Sequence, residues 1–311
     1  MNPYSGQDFF GFFYVLFMRL IGWITGPLVS DEIQMLTLAG IAVSCALVGS
    51  FLILHRMTML ANALSHTILL GIVVCMLLFP SDGLMSMPLL MAAAMITAFL
   101  TAFLTQSLQR LIRLQQDASI GLVFSSLFAL GVLLISLYMR NVHVGIELIM
   151  GNADALVSWD AKLAIFVLIF NVLMIVMLFR GYQITAFDPS MAKALGFSPV
   201  LLMYVLMSQT ALTSISAFRC VGVFMVLAFL VAPSLIARFF IHRLVPLLIG
   251  SSIFSVLVVI LGVGLSRHVL TLTATGVSTG GIIVTLFFVV FLVAVVSKLT
   301  FRKWFLYSSI K

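Results

Sequence analysis

Asn62 and His66 stand four residues apart in LANALSHTILLG (residues 60–71), a run that is otherwise almost entirely apolar or small. On a helix that spacing puts both side chains on one face, so an amide oxygen and an imidazole would project together. Neutral imidazole suits Zn2+, Mn2+ or Fe2+, while an amide oxygen offers only a weak neutral ligand. Two readings compete. The pair either lines a path for a divalent cation or glues helices together, His66 to a neighbouring backbone and Asn62 across an interface. The remaining histidines divide by place. His55 and His242 neighbour arginines in connectors, whereas His143 and His268 fall on the opposite side, as solvated loop residues or as groups that meet an incoming cation.

The solvent around that run follows from composition. Of 311 residues, 63% are hydrophobic and 8% charged, against roughly 25% charged in soluble domains. So few charges cannot cover the surface of a soluble protein, and the repeated apolar runs of about 20 residues match a bilayer's hydrocarbon core. The chain reads as an all-α, polytopic membrane protein forming one transmembrane domain over residues 1–311. Within a span an ionisable group is costly unless it faces protein or a wet cavity, so His66 is a functional candidate by default. Cys45, Cys75 and Cys220 lie far apart inside apolar runs and form no metal or redox pair. No basic residue precedes Arg19, so the N-terminal stretch lacks the charged start of a cleavable signal peptide.

The candidate spans are 9–27, 33–54, 60–78, 84–106, 118–139, 161–179, 200–218, 220–237, 245–265 and 279–298. The first is the weakest because Arg19 interrupts it, and nine remain if it does not cross. One set of alternate connectors plus the C-terminal tail carries Arg56, Arg110, Arg113, Arg180, Lys193, Arg238, Arg243, Lys298, Arg302, Lys303 and Lys311. The opposite set carries only Arg140, Lys162, Arg219 and Arg267. That bias faces the first set to the cytoplasm, which also accounts for the net charge of +7 without invoking nucleic acid. The external set holds Asp31, Glu32, Asp82, Glu147, Asp154 and Asp160. Those acids read either as a funnel for cations or as what is left once the bases are taken inside.

Two connectors exceed what a turn requires. Residues 140–160 are external and partly apolar, which suggests a short interfacial or re-entrant helix. Residues 180–199 are cytoplasmic, and within them Asp188-Pro189 reads as a helix start, with an acidic N-cap and proline at the first position. Gly196 stops that helix after about two turns, leaving a short capped element that suits docking better than linking. Phosphate-loop, zinc-protease and cysteine-cluster signatures are absent, so any ATP hydrolysis would belong to another chain. GVSTG (276–280) fits a nucleophile-elbow pattern, but no histidine follows it; Ser278 and Thr279 read better as caps of an apolar helix. Pro233 removes a backbone hydrogen bond mid-span, as a kink at a packed interface or at a gate would.

Several stretches resemble, in order, the permease subunits of bacterial ATP-binding-cassette importers for manganese, zinc or iron. ILHRMTMLANALSHTILLGI (53–72) is similar to the family's basic residue, small loop and G-D-A-x-S-H-A-x-L-P-G. QDASIGLVFSSLFALGVLL (116–134) resembles its E-D-x-x-I-G-x-x-F followed by A-L-G, and FDPSMAKALG (187–196) its F-D-P-x-x-A-x-x-x-G. CVGVFMVLAFLVAPSLIAR (220–238) and STGGIIV (278–284) resemble the family's proline-containing helix and the start of its last span.

The resemblance implies a permease of the cobalamin-importer fold, about nine or ten transmembrane helices, in a bacterial inner membrane. Its partners would be a cytoplasmic ATPase, a second permease of the same or a different chain, and an extracytoplasmic metal-binding protein. No permanent cofactor is implied, only a transported manganese, zinc or iron ion. Asp188, Pro189, Ala192 and Gly196 would belong to the coupling helix that meets the ATPase. The family puts its metal-contacting pair on the Asp and His of G-D-A-x-S-H. His66 matches the His, but Asn62 replaces the Asp and Ala61 the preceding Gly. A carboxylate brings charge and a hard oxygen to a divalent ion, and an amide brings only a dipole. Pairing with a second permease that keeps the Asp would restore the charge. An ion-coupled secondary transporter would need acids inside spans, and a siderophore or cobalamin permease would share the fold without the ALSH segment.

Overall fold

The computed structural model describes residues 3–4, 9–23, 29–79, 87–138, 153–273 and 276–308. Among them are eleven helices and no strand: α1 (Phe9–Leu20), α2 (Ser30–Leu54), α3 (Thr58–Leu78), α4 (Met87–Leu111), α5 (Gln116–Tyr138), α6 (Ser158–Phe187), α7 (Pro189–Ala194), α8 (Pro199–Val221), α9 (Val223–Phe240), α10 (Leu244–Thr273) and α11 (Thr279–Ser308). Each expected span is a helix. Eight have the length and hydropathy to cross a bilayer, and the apolar segment of α9 is shorter. The interfacial helix expected over 140–160 lies mostly outside the described residues, and its last three residues open α6 instead.

The first candidate span forms only a short helix among the described residues. Twelve residues of α1 reach only about 18 Å at 1.5 Å per residue, short of the roughly 30 Å hydrocarbon core. The Tyr4 hydroxyl donates to Glu32 Oε1 at 2.9 Å, and Arg19 Nε approaches the same oxygen at 2.6 Å. Both flanks of α1 therefore meet the Ser30 end of α2. The rings of Phe12 and Phe13 pack over Gly264 of α10. Arg19 is thus held beside an acid at the Ser30 end of α2.

α2 is the central helix, packed against α6, α8, α9 and α10. Small residues allow this. A Cβ at Gly49 would lie 1.8 Å from the Leu230 carbonyl oxygen of α9, so only glycine fits that crossing. Ser50 joins Ser234 of α9 at 2.8 Å and Ser251 of α10 at 3.2 Å. Pro233 is buried beside this hydroxyl cluster, where Ser234 also donates to the Ala46 carbonyl at 3.2 Å; the proline therefore sits at a packed interface. α8 and α9 are separated by one residue, Gly222, whose φ of 81° favours glycine. α3 packs between α4 and α5. The faces of α5, α6 and α11 turned away from the core carry exposed Leu, Ile, Val and Phe, the surface a bilayer covers.

Candidate functional site

α3 starts just past Arg56, whose φ of 59° turns the chain back from α2. Asn62 and His66 lie one and two turns inside it, both half-buried. Asn62 lines a cleft of about 710 Å³ between α3, α9 and α11 whose other walls are almost wholly apolar, including Leu227, Val231, Phe287 and Phe291. His66 looks elsewhere: its ring packs against Phe124 and Phe128 of α5, centroids 5.5 and 5.4 Å away. The two side chains share one side of α3, but different helices face them.

Helix glue does not describe this pair. Among the described residues neither side chain hydrogen-bonds another helix. Glue is present, made by other residues. Thr101 of α4 donates to Thr67 at 2.9 Å, Asn171 of α6 to Thr213 of α8 at 2.8 Å, and Tyr182 of α6 to Gln209 of α8 at 2.7 Å. The imidazole nitrogens and the amide of α3 thus have no side-chain hydrogen bond to another helix among the described residues. No three His, Cys, Asp or Glu side chains cluster as a metal site among the described residues. Phe124 and Phe128 escaped sequence reasoning, although their i, i+4 spacing in the 116–134 stretch put them on one helical face.

The external acids are not an open funnel. Asp31 is fully buried and pairs with Arg267 of α10. Glu32 takes Tyr4, Arg19 and the Val29 N–H. Asp154 accepts from Gln34 and from both the N–H and the hydroxyl of Thr279, and Asp160 accepts the Val157 N–H at 3.1 Å. Asp31, Glu32 and Asp154 tie separate elements together and Asp160 closes the start of its own helix, α6, since unpaired charge at a packed end would be costly. Asp82, Glu147 and His143 lie outside the described residues. The GVSTG segment is a helix start as expected, yet its N-terminal donor Thr279 is met by Asp154 and Ser266 rather than by Ser278. His268 packs on Phe9. His55 caps α2, where burial pushes its imidazole down to about 4.

At the end expected to face the cytoplasm, α7 stands between α6 and α8. The Asp188 carboxylate accepts from the Ser190 and Met191 N–H groups at 2.9 and 3.0 Å, and Pro189 occupies the first turn. Hydrogen bonds from the Ser190 hydroxyl and the Met191 amide hold the Asp188 carboxyl below the usual carboxylate range. Gly196, at φ 84°, ends the element, with the Phe197 N–H returning to the Ala192 carbonyl at 2.9 Å. Ala192 is fully buried and seats the helix, while Met191 and Leu195 are each 54% exposed.

A family model described as the ABC 3 transport family matches residues 31–298. A probable metal transport system membrane protein of Chlamydia trachomatis is 38% identical over 304 residues, covering 96% of this chain and 95% of that protein. The manganese transport system membrane protein MntD of Bacillus subtilis is 40% identical over 237 residues, 71% of this chain and 78% of that one. Among solved structures, PsaBC from Streptococcus pneumoniae in complex with Fab superposes with a TM-score of 0.70 at 24% identity, covering 90% of this chain and 94% of that chain, which establishes a shared fold. Eight membrane-length helices, a short capped helix and these likenesses converge on one assignment: the chain belongs to the ABC 3 transport family.

Proposed function

We propose that this chain is the permease subunit of an ATP-driven importer for a divalent transition metal such as manganese or zinc. The observation that carries the metal reading is the unpartnered Asn62–His66 pair inside a membrane helix, in a chain whose relatives are named for metal and manganese transport. ATP would be hydrolysed on a separate cytoplasmic subunit docked on the exposed Met191 and Leu195 of α7. Because α6 and α8 are tied by the Asn171–Thr213 and Tyr182–Gln209 bonds, a push on α7 would move both helices as one lever. The cation, delivered by an extracytoplasmic binding protein, would pass along α3, held loosely by an imidazole and an amide so that it can leave. A second permease would complete the ligand set, and one that carries a carboxylate at the Asn62 position would supply the missing charge. The protein would act in a bacterial inner membrane.

The test is uptake of radiolabelled manganese by the assembled complex, with zinc and iron as competitors. His66→Ala lowers uptake at unchanged assembly, and Asn62→Asp keeps or raises it. Unchanged uptake in His66→Ala would remove the histidine from the path. Failure of the chain to co-purify with an ATPase subunit would reject the importer.

A further inference from the structure

We propose that the cytoplasmic cavity at the ends of α2, α9 and α10 binds the phosphate headgroup of an anionic phospholipid. The cavity holds about 180 Å³, below the roughly 300 Å³ at which pockets for drug-sized ligands begin. It therefore takes a phosphate group with its ester oxygens and excludes a nucleotide. Its floor carries the buried hydroxyls of Ser50 and Ser234, its wall includes the apolar side chain of Leu247, and its rim bears Arg238 and His242, both exposed. Ser234 and Arg238 are four apart on α9, so a hydroxyl and a guanidinium converge on one side of that helix.

Charge selects the ligand. Among the described residues Arg238 has no acidic partner, and Arg56 and Arg243 flank the same helix ends, likewise unpaired with any acid. An unpaired guanidinium with an imidazole beside it at the mouth of a small cavity is a phosphate-binding arrangement, while the hydroxyls of the floor stay engaged with each other and the Ala46 carbonyl. Position selects the source. The cavity opens at the level where three spans leave the membrane, the leaflet whose anionic lipids attract juxtamembrane basic groups. Beside it, Phe240, Val245 and Ile249 are exposed apolar residues, which gives the acyl chains of a bound lipid a surface to lie on. Phe187 also lines the cavity and immediately precedes Asp188 of α7. A seated lipid would therefore brace the root of α7, a consequence that rests on the transport reading, whereas the binding itself does not.

Native mass spectrometry of the detergent-purified complex, titrated with dioleoyl phosphatidylglycerol or dioleoyl phosphatidylcholine, tests the site. Phosphatidylglycerol should bind saturably and about tenfold more tightly than phosphatidylcholine, and Arg238→Gln with His242→Gln should cost at least about tenfold, the scale of one charge-assisted contact. Arg113→Gln, an exposed cytoplasmic arginine elsewhere, should leave binding unchanged. Leu247→Phe fills the cavity without altering charge and should also weaken binding, which keeps the test decisive if the double variant fails to assemble. Equal binding of the two lipids, native affinity in the double variant, or complete displacement by millimolar inorganic phosphate would each overturn the lipid site. Uptake that is indifferent to phosphatidylglycerol despite tight binding would overturn only the bracing of α7.

Discussion

Replacing Arg267 by alanine should destabilise the protein more than replacing Asp31 by asparagine, although both changes delete the same ion pair. The reason is the unequal burial of the partners, with side-chain exposure of 29% for Arg267 and 0% for Asp31. Arg267→Ala leaves a fully buried carboxylate without its guanidinium, and removing one member of a buried pair costs about 3–5 kcal/mol. Asp31→Asn leaves a guanidinium that can turn towards water, and the amide still offers an oxygen acceptor; its cost should be about 2 kcal/mol, nearer that of a lost charged hydrogen bond. The difference of about 2 kcal/mol corresponds to about 3 °C in midpoint for a chain of this size. Thermal unfolding of the purified protein, followed by tryptophan fluorescence under one set of detergent conditions, reads it directly. Equal midpoints for the two variants, or a lower one for Asp31→Asn, would refute the argument from unequal burial.

Three other outcomes follow from the same kind of reasoning. Gly49→Ala should abolish folding or cost about 3 kcal/mol or more through overpacking, because its Cβ would sit 1.8 Å from a backbone oxygen, whereas Gly121→Ala, with open space at that position, should be neutral; size-exclusion chromatography separates the two. Asp188→Ala should weaken co-purification with an ATPase subunit several-fold while Asp188→Asn, also a good N-cap, retains it; equal loss would point to a charge contact instead of capping. His55 is held neutral by burial, with its pKa near 4 rather than the ordinary 6.5. The unfolded chain therefore binds more protons between those values, and stability falls as pH drops below about 6.5, by about 2 kcal/mol at pH 5. His55→Gln should flatten that slope in thermal unfolding between pH 7 and 5.

Much of the architecture is legible because a bilayer imposes one-dimensional rules. Apolar runs must be helices when no water can satisfy their backbone, and the placement of Arg and Lys orients them, so the expected spans and the Asp188–Gly196 element are met by helices in the structure. Span ends are less legible. α6 and α11 run to 30 residues each, since polar helix turns continue into the headgroups once the apolar stretch has ended. The fate of residues 9–20 turns on a single contact pattern, Tyr4 and Arg19 meeting Glu32, and no property of the run itself specifies which acid its arginine finds.

The sequence by itself determined the solvent, the helices and their order, and the oddity of an amide at position 62 where a carboxylate would carry charge. Those properties depend on local composition and spacing. Only the tertiary structure decided what the polar residues do, because partnership depends on helices distant in the chain. It turned Asp31, Glu32 and Asp154 into clasps between separate elements. It assigned the helix glue to Thr67, Asn171 and Tyr182 and left Asn62 and His66 without it. It set His66 against two phenylalanines of α5 and Asn62 against α9 and α11. Residues one turn apart on a helix differ by about 40° in direction, and in a packed bundle that angle is enough to give them different neighbours.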